Sequence, residues 1–227
     1  MRAGIIKETD NYIVLDKPAG LATQTARLGE KDLVSEVKDY LASSLDRRNP
    51  YLAVINRLDQ PVRGLVLMAK NERTAAAFSR ALGEGRIEKY YRAEVYGHMP
   101  AEHGILEDLL VKDSRTNLSR VADSNDRQAK KAVLEYNVLE RKPDTEILDI
   151  RLITGRHHQI RVQTAHAGCP LLGDIKYGNE SSVEYSRSKD IHSVCLVAYK
   201  LVFEEPELNG KKAHSTIIEI NMENILT

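Results

Sequence analysis

The sequence predicts an α+β fold, with strands and helices mixed in the first half and strands predominating in the second. Three observations carry this reading. Short aliphatic runs bounded by Pro or Gly, at Tyr12-Ile13-Val14-Leu15, Leu52-Ala53-Val54-Ile55 and Leu65-Val66-Leu67-Met68, read as buried strands. Two stretches repeat apolar residues at helical spacing, and two runs after residue 131 alternate with the period of half-buried strands.

In chain order, the strand at Tyr12 ends in the turn Lys17-Pro18-Ala19-Gly20, whose Pro and Gly stop both helix and sheet. Leu33, Val37, Leu41 and Leu45 recur every four residues and mark an amphipathic helix, with Asp32 as its N-cap. A second helix is predicted from Glu72 to Gly83, with Ala75, Phe78 and Leu82 on one stripe and Gly83 just past its end. In the strand that follows, Tyr91, Ala93, Val95 and Gly97 share one side, and Tyr90, Arg92, Glu94 and Tyr96 the other. Residues 113–130 are polar and weakly periodic, so a loop or ragged hairpin is expected there. Ala132–Arg141 and Glu146–Ile153 read as antiparallel strands joined through Lys142-Pro143-Asp144-Thr145. With no repeat, low-complexity tract or linker, one continuous domain over residues 1–227 is expected.

The 227 residues are 42% hydrophobic, enough for a sizeable core, and neither disordered nor fibrous in composition. No apolar run is long enough to span a bilayer and the N-terminus lacks a signal-peptide apolar region, so a cytoplasmic protein is expected. Cys169 and Cys195 have neither zinc-site nor disulfide-framework spacing and read as core thiols. His157, His158 and His166 have no carboxylate at a familiar ligand spacing, so no metal is expected, and no glycine-rich phosphate loop or dinucleotide fingerprint suggests a cofactor. Lys plus Arg equals Asp plus Glu at 33 each. The charges are nevertheless segregated. Arg57 to Arg92 carries eight basic residues against four acidic, and Arg151 to Arg161 contains no acid. A basic face on a neutral protein can bind phosphates, with an affinity that weakens as salt rises.

The stretch richest in chemical information runs from Ile55 to Lys70, where Asp59 lies between Arg57 and Arg63 on the connection between two apolar runs. A loop held by a rigid sheet is where catalytic groups concentrate. Nearby positive charge keeps a carboxylate ionised, which suits a nucleophile or an electrostatic stabiliser, while a structural ion pair is the alternative. Context separates these. Asn56-Arg57-Leu58-Asp59 followed by Gly64-Leu65-Val66-Leu67-Met68-Ala69-Lys70 resembles the H-R-L-D signature of RluA-type pseudouridine synthases. Four further blocks agree in order: Ile13 to Gly20 with the K-P-x-G turn, Lys89 to Gly97 with K-x-Y-x-A-x-V-x-G, Leu152 to Val162 with L-x-T-G-R-x-H-Q-I-R, and Gly168 to Asp174 with G-x-P-I-x-G-D. Leu196 to Pro206 echoes a late block. Asn56 stands where the family usually has His, Val62-Arg63 where it has Thr-Ser, and Val197 where it often has His.

The resemblance implies the pseudouridine synthase fold, a mixed and mostly antiparallel central sheet with flanking helices and an RNA-binding cleft. It also implies an isomerase that turns uridine into pseudouridine in structured tRNA or ribosomal RNA without metal or cofactor and without an obligate protein partner. With the opening strand beginning by about Asn11, no N-terminal S4 module of the family's kind is expected. Asp59 becomes the catalytic carboxylate, attacking C1′ or stabilising a sugar intermediate. Arg161 becomes its buried partner, and Tyr91 stacks on the target base or takes part in proton transfer. Arg57 would fill the gap left by an extruded nucleotide, and Leu152, Arg156 and His158 fall on the RNA-binding side. Thr154 is expected to cap a helix whose free N–H groups, with Arg156, meet a phosphate or a uracil carbonyl. A noncatalytic RNA-binding protein on the same fold is the alternative. A metal-dependent nucleic-acid hydrolase would need clustered acids that the sequence lacks.

Overall fold

A computed structural model describes residues 1–25, 29–45, 49–123, 125–206 and 214–222. Among these residues eleven strands and four helices succeed one another along the chain. In order they are β1 (Gly4–Glu8), β2 (Tyr12–Lys17), α1 (Leu33–Leu45), β3 (Ala53–Val54), β4 (Arg63–Ala69), α2 (Glu72–Gly83) and β5 (Glu88–Tyr96). There follow β6 (His103–Asp113), β7 (Leu118–Val121), β8 (Lys130–Arg141), β9 (Thr145–Leu152), α3 (Gln159–His166), α4 (Glu180–Ser188), β10 (Leu196–Glu204) and β11 (Ser215–Glu219). The α+β class is as predicted. By compactness the chain forms two units, the first from Met1–Glu88 with Ala198–Asn221, the second built on Lys89–Val197.

In the first unit the strand order is β1-β2-β4-β10, with β3 also on β4 and β11 on β10. Strands β2 and β4 run antiparallel from Tyr12 opposite Ala69 to Lys17 opposite Gly64. Their buried aliphatics pack under α2, and Tyr12, Phe78 and Phe203 meet edge to face with centroids 5.4–5.7 Å apart. Helix α2 begins where expected because Asn71 accepts from the Thr74 amide at 2.9 Å. It also includes Gly83, which was expected outside; the residue with left-handed backbone is Gly85, φ 73°. Asp32 caps α1 as expected, accepting from the Ser35 amide at 2.7 Å. Gly64 is required by packing, since a Cβ on it would stand 2.3 Å from the Ala198 carbonyl oxygen in β10.

The second unit has the order β5-β9-β8-β6-β7, each pair antiparallel. The β8–β9 hairpin lies where the alternation placed it, closed by the Lys142 amide on the Thr145 carbonyl at 2.8 Å. The ragged hairpin expected over 113–130 is β7 folding back on the end of the long β6. Lys89, Tyr91, Ala93 and Val95 are buried along one face of β5, and Tyr90 and Arg92 are half-buried on the other, as alternation requires.

Candidate active site

The loop that carries Asp59 is held from three sides within the first unit. At its start, Asn56 is buried and its amide pairs with β4 as a backbone would, donating to the Leu65 carbonyl at 3.0 Å and accepting from the Leu67 amide at 2.8 Å. The predicted strand at 52–55 is therefore short in backbone terms, Ala53–Val54, with the side chain of Asn56 extending the ladder. In the middle, the Thr23 hydroxyl donates to the Leu58 carbonyl at 2.8 Å and accepts from the Leu58 amide at 3.2 Å. At the far end, the Gln60 carbonyl accepts from the Gly20 amide at 2.8 Å, and the Val62 amide closes a turn onto the Asp59 carbonyl at 3.0 Å. Leu58 and Val62 plug the loop into the core, leaving Asp59 half-exposed and Arg57 exposed between them.

Two charges near Asp59 differ from the sequence expectation. Arg63 is occupied by Asp16, its guanidinium donating at 2.8 Å, so it belongs to the β2–β4 pair and not to the loop. The second cation is Lys17, which the sequence reading took only as part of a turn. It is fully buried, and its ammonium donates to the carbonyls of Pro18 at 3.1 Å, Leu21 at 2.7 Å and Gln60 at 3.3 Å. Burial pushes its pKa down to about 8, against the opposing pull of the Asp59 and Asp16 charges. Lys17 thus ties the Lys17–Gly20 turn to the Asp59 loop and places a positive charge in the field of that carboxylate.

The remaining predicted site residues lie in the second unit. Tyr91 is buried on β5 and Leu152 is buried at the end of β9. Beyond Leu152 the chain makes the turn Thr154-Gly155-Arg156-His157-His158 and enters α3. Thr154 does not cap this helix, contrary to expectation. Its hydroxyl donates to the Gln159 side-chain oxygen at 2.7 Å and accepts from the Val133 amide of β8 at 2.8 Å, because it lies too far ahead of the first helical residue. Gln159 is the organiser: it also accepts from the Arg156 amide at 2.9 Å and donates to the Val133 carbonyl at 3.1 Å. Arg156 precedes the helix and reaches the Lys131 carbonyl at 2.9 Å.

His158 is the N-cap residue, held in left-handed backbone at φ 53°, a conformation His tolerates better than most residues at a cost of about 1–2 kcal/mol. It is buried, stacks on His157 with centroids 3.7 Å apart, and shares a hydrogen bond with the Tyr177 hydroxyl at 2.7 Å. Burial, reinforced by the Arg161 charge, lowers its pKa to about 4, so it is a neutral imidazole at pH 7. Tyr177 also accepts from the Ser119 amide at 2.8 Å and lies under the Arg161 guanidinium, 5.1 Å from ring to Cζ.

Arg161 itself is 3% exposed and makes a bidentate pair with Asp174 at 2.6 and 2.7 Å. Asp174 was quoted in the sequence only as the end of a motif. Its carboxylate is fixed further by the Lys176 amide at 3.0 Å. His158, Tyr177, Arg161 and Asp174 thus form one polar network that fixes the arginine, and neither Tyr177 nor Asp174 could be singled out without knowing that α3 packs on the Asp174–Gly178 turn. Among the described residues no group of three or more His, Cys, Asp or Glu side chains could hold a metal, and no helix is long and apolar enough to cross a membrane.

Comparison with known proteins gives these parts their context. Residues 11–166 match the family described as RNA pseudouridylate synthase. The ribosomal large subunit pseudouridine synthase C of Rickettsia bellii is 34% identical over 209 residues, 91% of this chain and 67% of that protein. The dual-specificity RNA pseudouridine synthase RluA of Vibrio vulnificus is 30% identical over 198 residues, 86% and 77% of the two chains. Among solved structures, human RNA pseudouridylate synthase domain containing 4 aligns over 98% of this chain and 90% of its own with a TM-score of 0.77 at 22% identity, a likeness of fold. The chain belongs to the RNA pseudouridylate synthase family and is an RNA pseudouridine synthase, an isomerase.

Proposed function

We propose that this enzyme isomerises specific uridines in structured tRNA or ribosomal RNA, with Asp59 as the catalytic carboxylate. The observation that carries the assignment is the loop itself: Asn56, Thr23 and Lys17 fix the backbone on either side of a half-exposed carboxylate. Pre-positioning of that kind suits a group that must meet C1′ at short range. Relatives named as ribosomal large subunit synthases make ribosomal RNA the first substrate to test.

The reaction breaks the N1–C1′ bond, turns the uracil and rejoins it through C5, with no net redox change. Asp59 either attacks C1′ or stabilises the positive charge that develops on the sugar. Tyr91 provides a flat ring for the base, and Arg161, held by Asp174, is assigned by its motif to keep Asp59 in place. Arg57, exposed at the loop apex, stacks in the gap that an extruded nucleotide leaves, at an unstacking cost of roughly a few kcal/mol. Leu152, Arg156 and His158 support the RNA-facing side of the second unit.

Because isomerisation releases the hydrogen on C5, tritium released from transcripts carrying [5-³H]uridine follows turnover directly. Asp59→Asn and Asp59→Ala should lower the single-turnover rate by about three orders of magnitude or more, with RNA affinity within about two-fold, since the side chain is not a phosphate contact. Wild-type rates in either variant would remove Asp59 from the chemistry.

A further inference from the structure

Two buried lysines of this protein are treated differently by the fold. Lys17 has three carbonyl oxygens around its ammonium. Lys89, 9% exposed on β5, has no hydrogen bond or ion pair to any described residue, and burial alone, with no opposing carboxylate, lowers its pKa. A buried ammonium left without a partner is costly, and folds normally supply one.

The surroundings of that tip are specific. Lys89 and Tyr91 lie two residues apart on one face of β5, about 6.5–7 Å along the strand. Opposite the ammonium stands Gly155, where a Cβ would come to 3.5 Å from Nζ. The turn bearing Gly155 is immobilised on either side, by Thr154 on Val133 and by the Arg156 amide on Gln159. A glycine in a clamped turn therefore leaves space beside an unneutralised cation, next to the ring assigned to the base.

We propose that Lys89 is a catalytic residue whose ammonium hydrogen-bonds a carbonyl oxygen of the target uracil and stabilises the negative charge on the detached base. This rests on the isomerase reading above. When N1–C1′ breaks, its electron pair stays on N1 and the charge spreads to the O2 and O4 carbonyls. C5 then supplies the pair for the new bond to C1′, losing its proton to solvent or a general base while N1 is protonated. The net result is isomerisation. A cation without a carboxylate partner serves this sequence because its attraction grows as the base becomes anionic, whereas a pre-formed ion pair would cancel it. The nine-tenths burial beside a tyrosine ring fits the edge of a planar base better than a hydrated phosphate.

The test uses the full chain and unmodified transcripts of bacterial large-subunit ribosomal RNA and tRNA carrying [5-³H]uridine. Lys89→Met should lose about 100-fold in the single-turnover rate, bind RNA within about two-fold of wild type, and melt above wild type because an unpartnered buried charge is gone. Lys89→Arg should recover part of the rate. Weaker binding with an unchanged rate and a salt dependence reduced by about one charge would identify a phosphate contact and overturn the inference. A wild-type rate, or a melting temperature below wild type in Lys89→Met, would overturn it as well. Asp59→Asn, assayed in parallel, reports on the isomerase reading alone, so the two failures are distinguishable.

Discussion

Asn56 shows how much one side chain can do for the loop proposed to be catalytic. The sequence comparison identified it only as a departure from the usual His. The structure gives it a job that needs a donor and an acceptor a fixed distance apart, since its amide bonds both the Leu65 carbonyl and the Leu67 amide from a buried position. Asn56→Ala leaves both backbone groups short of a partner, and a cost of about 2 kcal/mol or more is expected, read as a lower urea midpoint together with a reduced turnover rate. Asn56→Asp, which loses the donor and turns a buried carboxylate oxygen towards the Leu65 carbonyl, should cost at least as much. Legibility at this scale was uneven. Asp59, Tyr91 and Arg161 stand out as candidates because they sit in ordered motifs, but Lys17, Tyr177 and Asp174 act through tertiary contacts that spacing along a chain does not encode.

At the scale of elements, the segments with strong periodicity were readable to within a residue or two. Helix α1 has the side-chain cap that its sequence signal predicts, whereas Asn71, which caps α2, was not singled out in the sequence. Strand β1 and helix α4 escaped notice for different reasons. β1 is an edge strand whose Ile5 and Ile6 are exposed, so its sides do not differ in polarity. α4 buries only Ser182 and Ser186, which leave no apolar stripe. Gly64 belongs to this scale because it governs how two strands meet. Its φ of 132° and the 2.3 Å approach of a built Cβ to the Ala198 oxygen mean that Gly64→Ala must displace β4 from β10. A loss of about 3 kcal/mol or more is expected, measured by equilibrium unfolding, and hydrogen exchange should locate the damage in β4 and β10.

For the molecule as a whole, acid sensitivity has a large contributor in each unit. In the first, Glu205 accepts from the Tyr12 hydroxyl, from Lys7 at 2.9 Å and from the Thr216 hydroxyl at 2.9 Å, and its pKa falls from 4.5 to about 2; burial opposes the shift and these donors overcome it. In the second, His158 stays neutral down to about pH 4, against an ordinary value of 6.5. In both cases the unfolded chain binds protons that the folded chain refuses, so stability falls as the pH drops, from 6.5 towards 4 for His158 and from 4.5 towards 2 for Glu205. Acid titration followed by hydrogen exchange should show protection lost first around α3 and later around β10 and β11, and Glu205→Gln should flatten the second stage. The α+β class followed from composition and period alone. The two-unit arrangement did not, because a unit made of two distant chain segments leaves no linker to read. That arrangement sets an order of events during synthesis. The edge of β4 that receives β10 must wait until residues 89–195 have been made, so the strand beside the proposed catalytic loop gains this neighbour long after its other partners. A nascent chain that has just supplied the Asp59 loop therefore still lacks the β10 edge of the sheet beside it.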